Sequence, residues 1–283
     1  MELEEELRRK IAQIQPLDER AMALAKKRWD SIAHPLHSLG LLEDAIVTIA
    51  GAQGTHQVEL NKRCVTPFCA DNGVVAQGVT QSGQDVTTIV TKNFCSGEAS
   101  VCVMARVAGA DVIPVDIGVA QDVTEPGLRV HKIAYGTADI TQGPAMTREQ
   151  AADAILYGMN LVKELKEEGY RLIATGEMGI GNTTTSSALL SVLLHRPVEE
   201  MTGRGAGLSS EGLKRKIDAI HRAIEVNQPD PDDPLDTLHK VGGLDIAGLV
   251  GVFLGGAHYH LPIVIDGVIS GAAAFTAMKF CKT

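Results

Sequence analysis

The sequence predicts an α/β fold: a Rossmann-like parallel sheet with helices on both faces, plus a small helical domain that includes an N-terminal hairpin. Three observations carry the prediction. Short apolar runs at 63–70, 111–115, 171–174 and 263–265 alternate with longer stretches of helical periodicity. Four of these runs are followed by polar or glycine-rich turns, Asp71-Asn72-Gly73, Asp116-Ile117-Gly118, Gly176-Glu177-Met178-Gly179 and Asp266-Gly267. The first 38 residues show helical spacing with no strand pattern. Right-handed crossovers bring parallel strand ends to one edge, where ligands of such folds sit.

Leu7, Ile11 and Ile14 recur at helical spacing, so 3–14 and 18–32 read as two helices parted at Pro16 and packed as a hairpin outside the sheet. This divides the chain into 1–38, part of the small domain, and 39–283, the α/β core. A helix over 41–50 is stopped by Gly51 and Gly54, and a buried strand over 63–70 follows. Residues 85–107 read as one helix and 111–115 as a strand. A helix over 147–168 begins after Pro144 and ends at Gly169, and 171–174 is the next strand. Helices follow over 183–194, 211–226 and 244–255, and the strand at 263–265 leads into a helix from about Ser270.

Composition narrows the function classes. A chain of 283 residues buries a full core as one large domain, with or without a small appendage. A formal charge of -9 without a Lys/Arg run excludes a nucleic-acid backbone track. Cys64, Cys69, Cys95, Cys102 and Cys281 are odd in number and lack C-x-x-C spacing, which fits reduced thiols of a cytoplasmic protein. The acidic start Glu2-Leu3-Glu4-Glu5-Glu6 is unlike a signal peptide, and Asp266 interrupts the most membrane-like stretch, 261–278. His258-Tyr259-His260 lacks further ligands at metal-binding spacing, so no metal is expected.

The richest motif is the run from Gly176 to Ser187, Gly-Glu-Met-Gly-Ile-Gly-Asn-Thr-Thr-Thr-Ser-Ser, between an apolar strand and a helix start. Free N–H groups there suit a phosphate, yet a tight turn with a capped helix needs the same residue types. It is neither a Walker loop nor a G-x-G-x-x-G fingerprint. Glu177 would repel a phosphate, so it must meet another group, such as a sugar hydroxyl or a cationic ring. Thr202-Gly203-Arg204-Gly205-Ala206-Gly207-Leu208, ahead of a helix carrying Lys216, offers a second anion site or the other wall of the first. No nucleophile signature stands out.

These blocks, with Phe68-Cys69-Ala70-Asp71-Asn72-Gly73-Val74, Gly78-Val79-Thr80, Gly136-Thr137-Ala138-Asp139, Gly143-Pro144-Ala145-Met146-Thr147 and Ile265-Asp266-Gly267, extend over most of the chain. In them the chain resembles the nicotinate-nucleotide–dimethylbenzimidazole phosphoribosyltransferase family. The resemblance implies transfer of the 5-phosphoribosyl group of nicotinate mononucleotide to 5,6-dimethylbenzimidazole in cobalamin biosynthesis, with inversion at C1′, by a homodimer without cofactor. It implies that Glu177 holds ribose hydroxyls or favours developing positive charge. It also implies that the backbone from Gly179 to Thr183, including Gly181 and Asn182, holds the 5′-phosphate with Gly203, Gly205 and Lys216. Gly176, Met178 and Asp266 complete the substrate-binding set, and Thr80, Gln81 and Gln84 match the stretch lining the benzimidazole pocket.

Two departures accompany the resemblance. Asp71-Asn72 stands where many members have Asp-His. The family's Gly-Glu-Gly-rich C-terminal loop, whose Glu the resemblance implies as general base, has no counterpart here, so the chain reads as truncated within a helix at Phe280-Cys281-Lys282-Thr283. The alternative reading is an impaired homologue that binds phosphoribosyl nucleotides without efficient turnover.

Overall fold

The computed structural model describes residues 2–281. Helix α1 (Glu2–Ile11) buries Leu7, and α2 (Glu19–Ser31) is capped by Asp18, whose carboxylate accepts from the Ala21 N–H. Helix α3 (Leu41–Gln53) stops at Gly54 in the left-handed conformation. Strand β1 (Arg63–Ala70) is followed by a 3-10 turn (Gly73–Gln77), α4 (Asp85–Ser96), α5 (Ser100–Ala108), β2 (Asp111–Val112), β3 (Val115–Gly118) and β4 (Arg129–Val130). Next come α6 (Arg148–Glu167), with a Thr147/Gln150 capping box, β5 (Leu172–Met178), α7 (Asn182–Leu193), α8 (Val198–Met201) and α9 (Ser210–Asn227). The remainder is α10 (Pro234–Val241), α11 (Leu244–Tyr259), β6 (Ile263–Val264) and α12 (Val268–Phe280).

The strands form one parallel sheet in the order β4-β3-β1-β5-β6, with β2 beside the start of β1. Along β1 the side chains alternate. Phe68 meets α11 at Gly248, whereas Cys69 joins Phe94 of α4 and Cys102 of α5 on the opposite face. Helices thus cover both faces, as the alternating pattern predicted. Helix α6 lies along α11 through Gly158, Gly248, Gly251 and Gly255; a Cβ at Gly251 would collide with the Ile155 carbonyl.

Several elements differ from expectation for local reasons. The single helix expected over 85–107 is two, because Gly97 takes φ +79° and caps α4. The strand expected over 111–115 is interrupted ahead of Val115 at Pro114, which has no N–H for the ladder. The expected partners of the N-terminal helices change as well. Helix α1 packs on α6 and α11 while α2 packs on α3, so the helical layer at that end continues past residue 38. Helix α12 begins two residues before the expected Ser270 and ends at Phe280; Lys282 and Thr283 lie outside the described residues.

Candidate functional site

Parallel register places three strand ends level: Cys69 is opposite Met178 on one side and Asp116 on the other, and Ala70 is opposite Gly118. At this edge the Asp71 carboxylate accepts the Ala120 N–H at 2.7 Å, and Asp116 accepts the Val119 N–H at 2.9 Å. Lys132 reaches Asp116 at 2.9 Å. Both acids are buried, so they act as turn-holding groups rather than as an open rim.

The chemistry gathers at the turn from β5 into α7. Gly181 has φ +97°, which a side chain rarely adopts. Gly179 is confined: a Cβ there would lie 2.5 Å from both the Ala70 carbonyl and Asp245 Oδ2, and 3.0 Å from Asn72 Nδ2. Asn182, first residue of α7, donates from Nδ2 both to Glu177 Oε2 and, at 2.9 Å, to Asp245 Oδ2. The Ile180 N–H donates to Thr87 Oγ1 at 3.2 Å, tying the turn to α4.

Burial raises the proton affinity of Glu177; the Asn182 hydrogen bond opposes that, and the Asp266 charge adds to it. Asp245 has no exposed surface, and its carboxyl is pushed up to about 7, mainly by burial; the Asn182 bond opposes the shift and the Glu177 charge adds to it.

On the other side of α7, the buried Lys216 ammonium donates to Thr183 Oγ1 at 2.8 Å and to the Gly203 carbonyl at 3.2 Å. Burial lowers its pKa to about 8, and no carboxylate pairs with it among the described residues. A buried cation held only by neutral oxygens, beside the N-terminus of a helix, suits an anion. Its outer wall is the loop with Gly205 at φ +54° and Gly207 at φ +107°. Within that loop Arg204 Nη1 donates to the Leu208 carbonyl at 2.8 Å. Gln81 Nε2 donates to the Gly207 carbonyl, joining the 80–84 segment to this wall.

Most of the residues singled out from the sequence line two recesses. Thr80, Gln81, Gly179, Gly181, Asn182, Thr183 and Gly205 line a small cleft of about 120 Å³. Gly176, Glu177 and Asp266 line a wider cavity of about 490 Å³ bounded by Phe94, Val101 and Ile265. Gly203 and Lys216 belong to the cleft through Thr183, and Gln84 precedes α4 with its Nε2 3.4 Å from the Asn72 carbonyl. Met178 packs into the cluster around Cys69. Thr80 does not face out freely, since its hydroxyl donates to the Ser82 carbonyl at 2.7 Å.

Sequence reasoning missed Asp245. Its only signal is an acid in the first turn of an otherwise apolar helix, directly after Gly242-Gly243. His258 Nδ1 lies 3.0 Å from the Lys10 carbonyl and its ring packs edge-on against Tyr259, a packing role. Among the described residues, no three His, Cys, Asp or Glu stand close enough to hold a metal ion, and no helix is long and apolar enough to cross a membrane.

A family model described as "Phosphoribosyltransferase" matches residues 14–283. A nicotinate-nucleotide–dimethylbenzimidazole phosphoribosyltransferase of Acetivibrio thermocellus is 48% identical over 258 residues, covering 91% of this chain and 74% of the relative. One of the same description from Ruminiclostridium cellulolyticum is 48% identical over 269 residues, covering 95% and 76%. Among solved structures, CobT from Thermus thermophilus superposes with a TM-score of 0.87 at 39% identity, covering 92% of this chain and 78% of that one. The chain thus spans about three quarters of the length of these relatives.

Proposed function

The chain belongs to the nicotinate-nucleotide–dimethylbenzimidazole phosphoribosyltransferase family, and we propose that it transfers the 5-phosphoribosyl group of nicotinate mononucleotide to 5,6-dimethylbenzimidazole or a related base, releasing nicotinate and α-ribazole 5′-phosphate. The observation that carries this reading is Lys216, a buried ammonium without a carboxylate partner among the described residues, set between Thr183 and Gly203. It anchors the 5′-phosphate, aided by the N-terminus of α7.

With the phosphate fixed there, the ribose extends towards Glu177. As the cationic pyridinium leaves, C1′ becomes oxocarbenium-like, and the Glu177 carboxylate stabilises that charge in a partly dry site. Thr80, Gln81 and Gln84 receive the incoming base, and the Gln81–Gly207 bond links this segment to the phosphate wall. Holding acceptor nitrogen and C1′ in line supplies much of the rate, because the leaving group is already activated by its positive ring. Gly176, Met178 and Asp266 shape the cavity side of the same centre.

The unbridged thiols of Cys64, Cys69 and Cys102, all buried, suit a reducing cytoplasm. The exposed Leu36, Leu39, Leu41 and Leu42 around the start of α3 support assembly into a homodimer.

The test is turnover of the folded chain with nicotinate mononucleotide and 5,6-dimethylbenzimidazole, followed by chromatography with mass detection. Equal amounts of nicotinate and α-ribazole 5′-phosphate are expected. Release of inorganic phosphate, or nucleotide binding without nicotinate release, overturns the reading.

A further inference from the structure

The glycine-rich turn is usually read for what it leaves open to a ligand, but Gly179 also makes room on its inner side. A Cβ at Gly179 would lie 2.5 Å from Asp245 Oδ2, and one at Gly243 would lie 2.6 Å from both Asp245 Oδ1 and Asn72 Oδ1. Two glycines thus allow the N-terminus of α11 to press a wholly buried carboxylate against the back of the site. There Asp245 Oδ1 accepts the Ile246 N–H at 2.9 Å, and Oδ2 accepts one hydrogen of the Asn182 amide, whose other hydrogen goes to Glu177. An amide with both hydrogens committed cannot rotate without breaking a charge-assisted bond, so Asp245 and Glu177 fix each other's position through it.

We propose that Asp245 is a positioning residue for phosphoribosyl transfer, acting through the Asn182 amide to aim Glu177 and to add a second negative charge behind it. This rests on the transferase reading above. Asp245 does not touch substrate; its charge reaches the reacting carbon only across Asn182 and Glu177.

Two carboxylates on one amide in a buried setting do not both ionise freely, and the deeper one keeps its proton longer. Asp245, at about 7, changes charge within the neutral range. The other titratable or charged groups around the pair are few. Asp266, beyond β6, acts on Glu177. Cys69 on β1 has its thiol pushed up by burial, with the charges of Asp116 and Asp245 adding to the shift. Asp71 and Asp116, with Lys132, stand at the neighbouring strand ends. Below neutrality Asp245 is neutral and only holds Asn182; above it, the added anion favours the cationic transition state.

Asp245→Asn keeps the shape and mimics the neutral form. The experiment measures kcat and nucleotide KM for the full chain and this variant from pH 6 to 8.5. We expect KM within about threefold throughout and kcat within about twofold at pH 6. At pH 8.5 we expect about a fiftyfold loss, the effect of one charge about 7 Å away at an effective dielectric constant near 20. A loss equal at every pH, or unchanged profiles, overturns the proposal.

If Asp245→Asn does not fold, Asn182→Ser removes the bridge from the other side and must likewise abolish the rise in kcat through pH 7. Carboxyl-carbon NMR of Asp245 reads the coupling without turnover. Loss of the Glu177 charge in Glu177→Gln must move the Asp245 titration to lower pH, and an unmoved titration overturns the coupling. Failure of the unmutated chain to release nicotinate would instead count against the transferase reading.

Discussion

Replacing Lys216 with Met should make the protein more stable and its nucleotide binding worse. The fold lowers the lysine from its ordinary 10.5 to about 8 by burial. That shift corresponds to about 3 kcal/mol of destabilisation at pH 7. Losing the bonds to Thr183 and Gly203 returns about 1 kcal/mol, leaving a net gain of about 2 kcal/mol, or a Tm higher by about 4 °C.

Between pH 8 and 10.5 the unfolded chain binds more protons at this position than the folded one. The unmutated protein therefore gains stability with rising pH in that window, and the variant lacks this gain. Binding moves the other way. A charge-assisted bond to phosphate is worth about 2–3 kcal/mol, so affinity for nicotinate mononucleotide should fall about 30- to 150-fold. Thermal unfolding at pH 7 and pH 10, with calorimetric titration of the nucleotide, gives both quantities. A lower Tm at pH 7, or affinity within threefold of the parent, would refute the anion-site reasoning.

Three further outcomes follow from the same geometry. Glu177→Gln retains an acceptor for Asn182 but no charge, so kcat should fall about 100-fold with nucleotide KM changed less than about threefold in steady-state assays. Gln81→Ala cuts the tie to Gly207 and should raise nucleotide KM about threefold to fivefold with little change in kcat, read in the same assay. Gly251→Ala drives a methyl into the Ile155 carbonyl where α6 meets α11, and should cost about 3 kcal/mol in denaturant unfolding with m unchanged.

What could be read in the sequence was whatever is local. The turn from β5 to α7 announces itself because its glycines, its Asn and its run of Thr and Ser lie in twelve consecutive positions. The long strand β1 and the capped helix α6 show clear patterns for the same reason. Strands β4 and β6 have two residues each, too few to display an alternation, and β4 went unrecognised. Gly97 lies inside the stretch 85–107, whose periodicity reads as one helix; only its φ of +79° reveals a cap between two. Lys216 sat among Lys214 and Arg215 on an apparently solvated face, and the glycines of the preceding loop were the one hint that it turns inward.

Asp245 shows where such reading ends. Nothing within ten residues of it speaks of phosphate or ribose, and its neighbours Ile246, Ala247, Leu249 and Val250 belong to the core. Its relation to Glu177 exists because β5 lies between β1 and β6 while α11 crosses beneath β1, β3 and β5, bringing a helix start against a turn 63 residues earlier. The same crossing explains Gly179. Read locally, its missing side chain exposes backbone to a ligand; in the fold it also clears space for the Ala70 carbonyl, Asn72 and Asp245. A substitution at Gly179 therefore cannot separate phosphate binding from carboxylate positioning, whereas Lys216 and Asp245, on opposite sides of α7, can be changed one at a time.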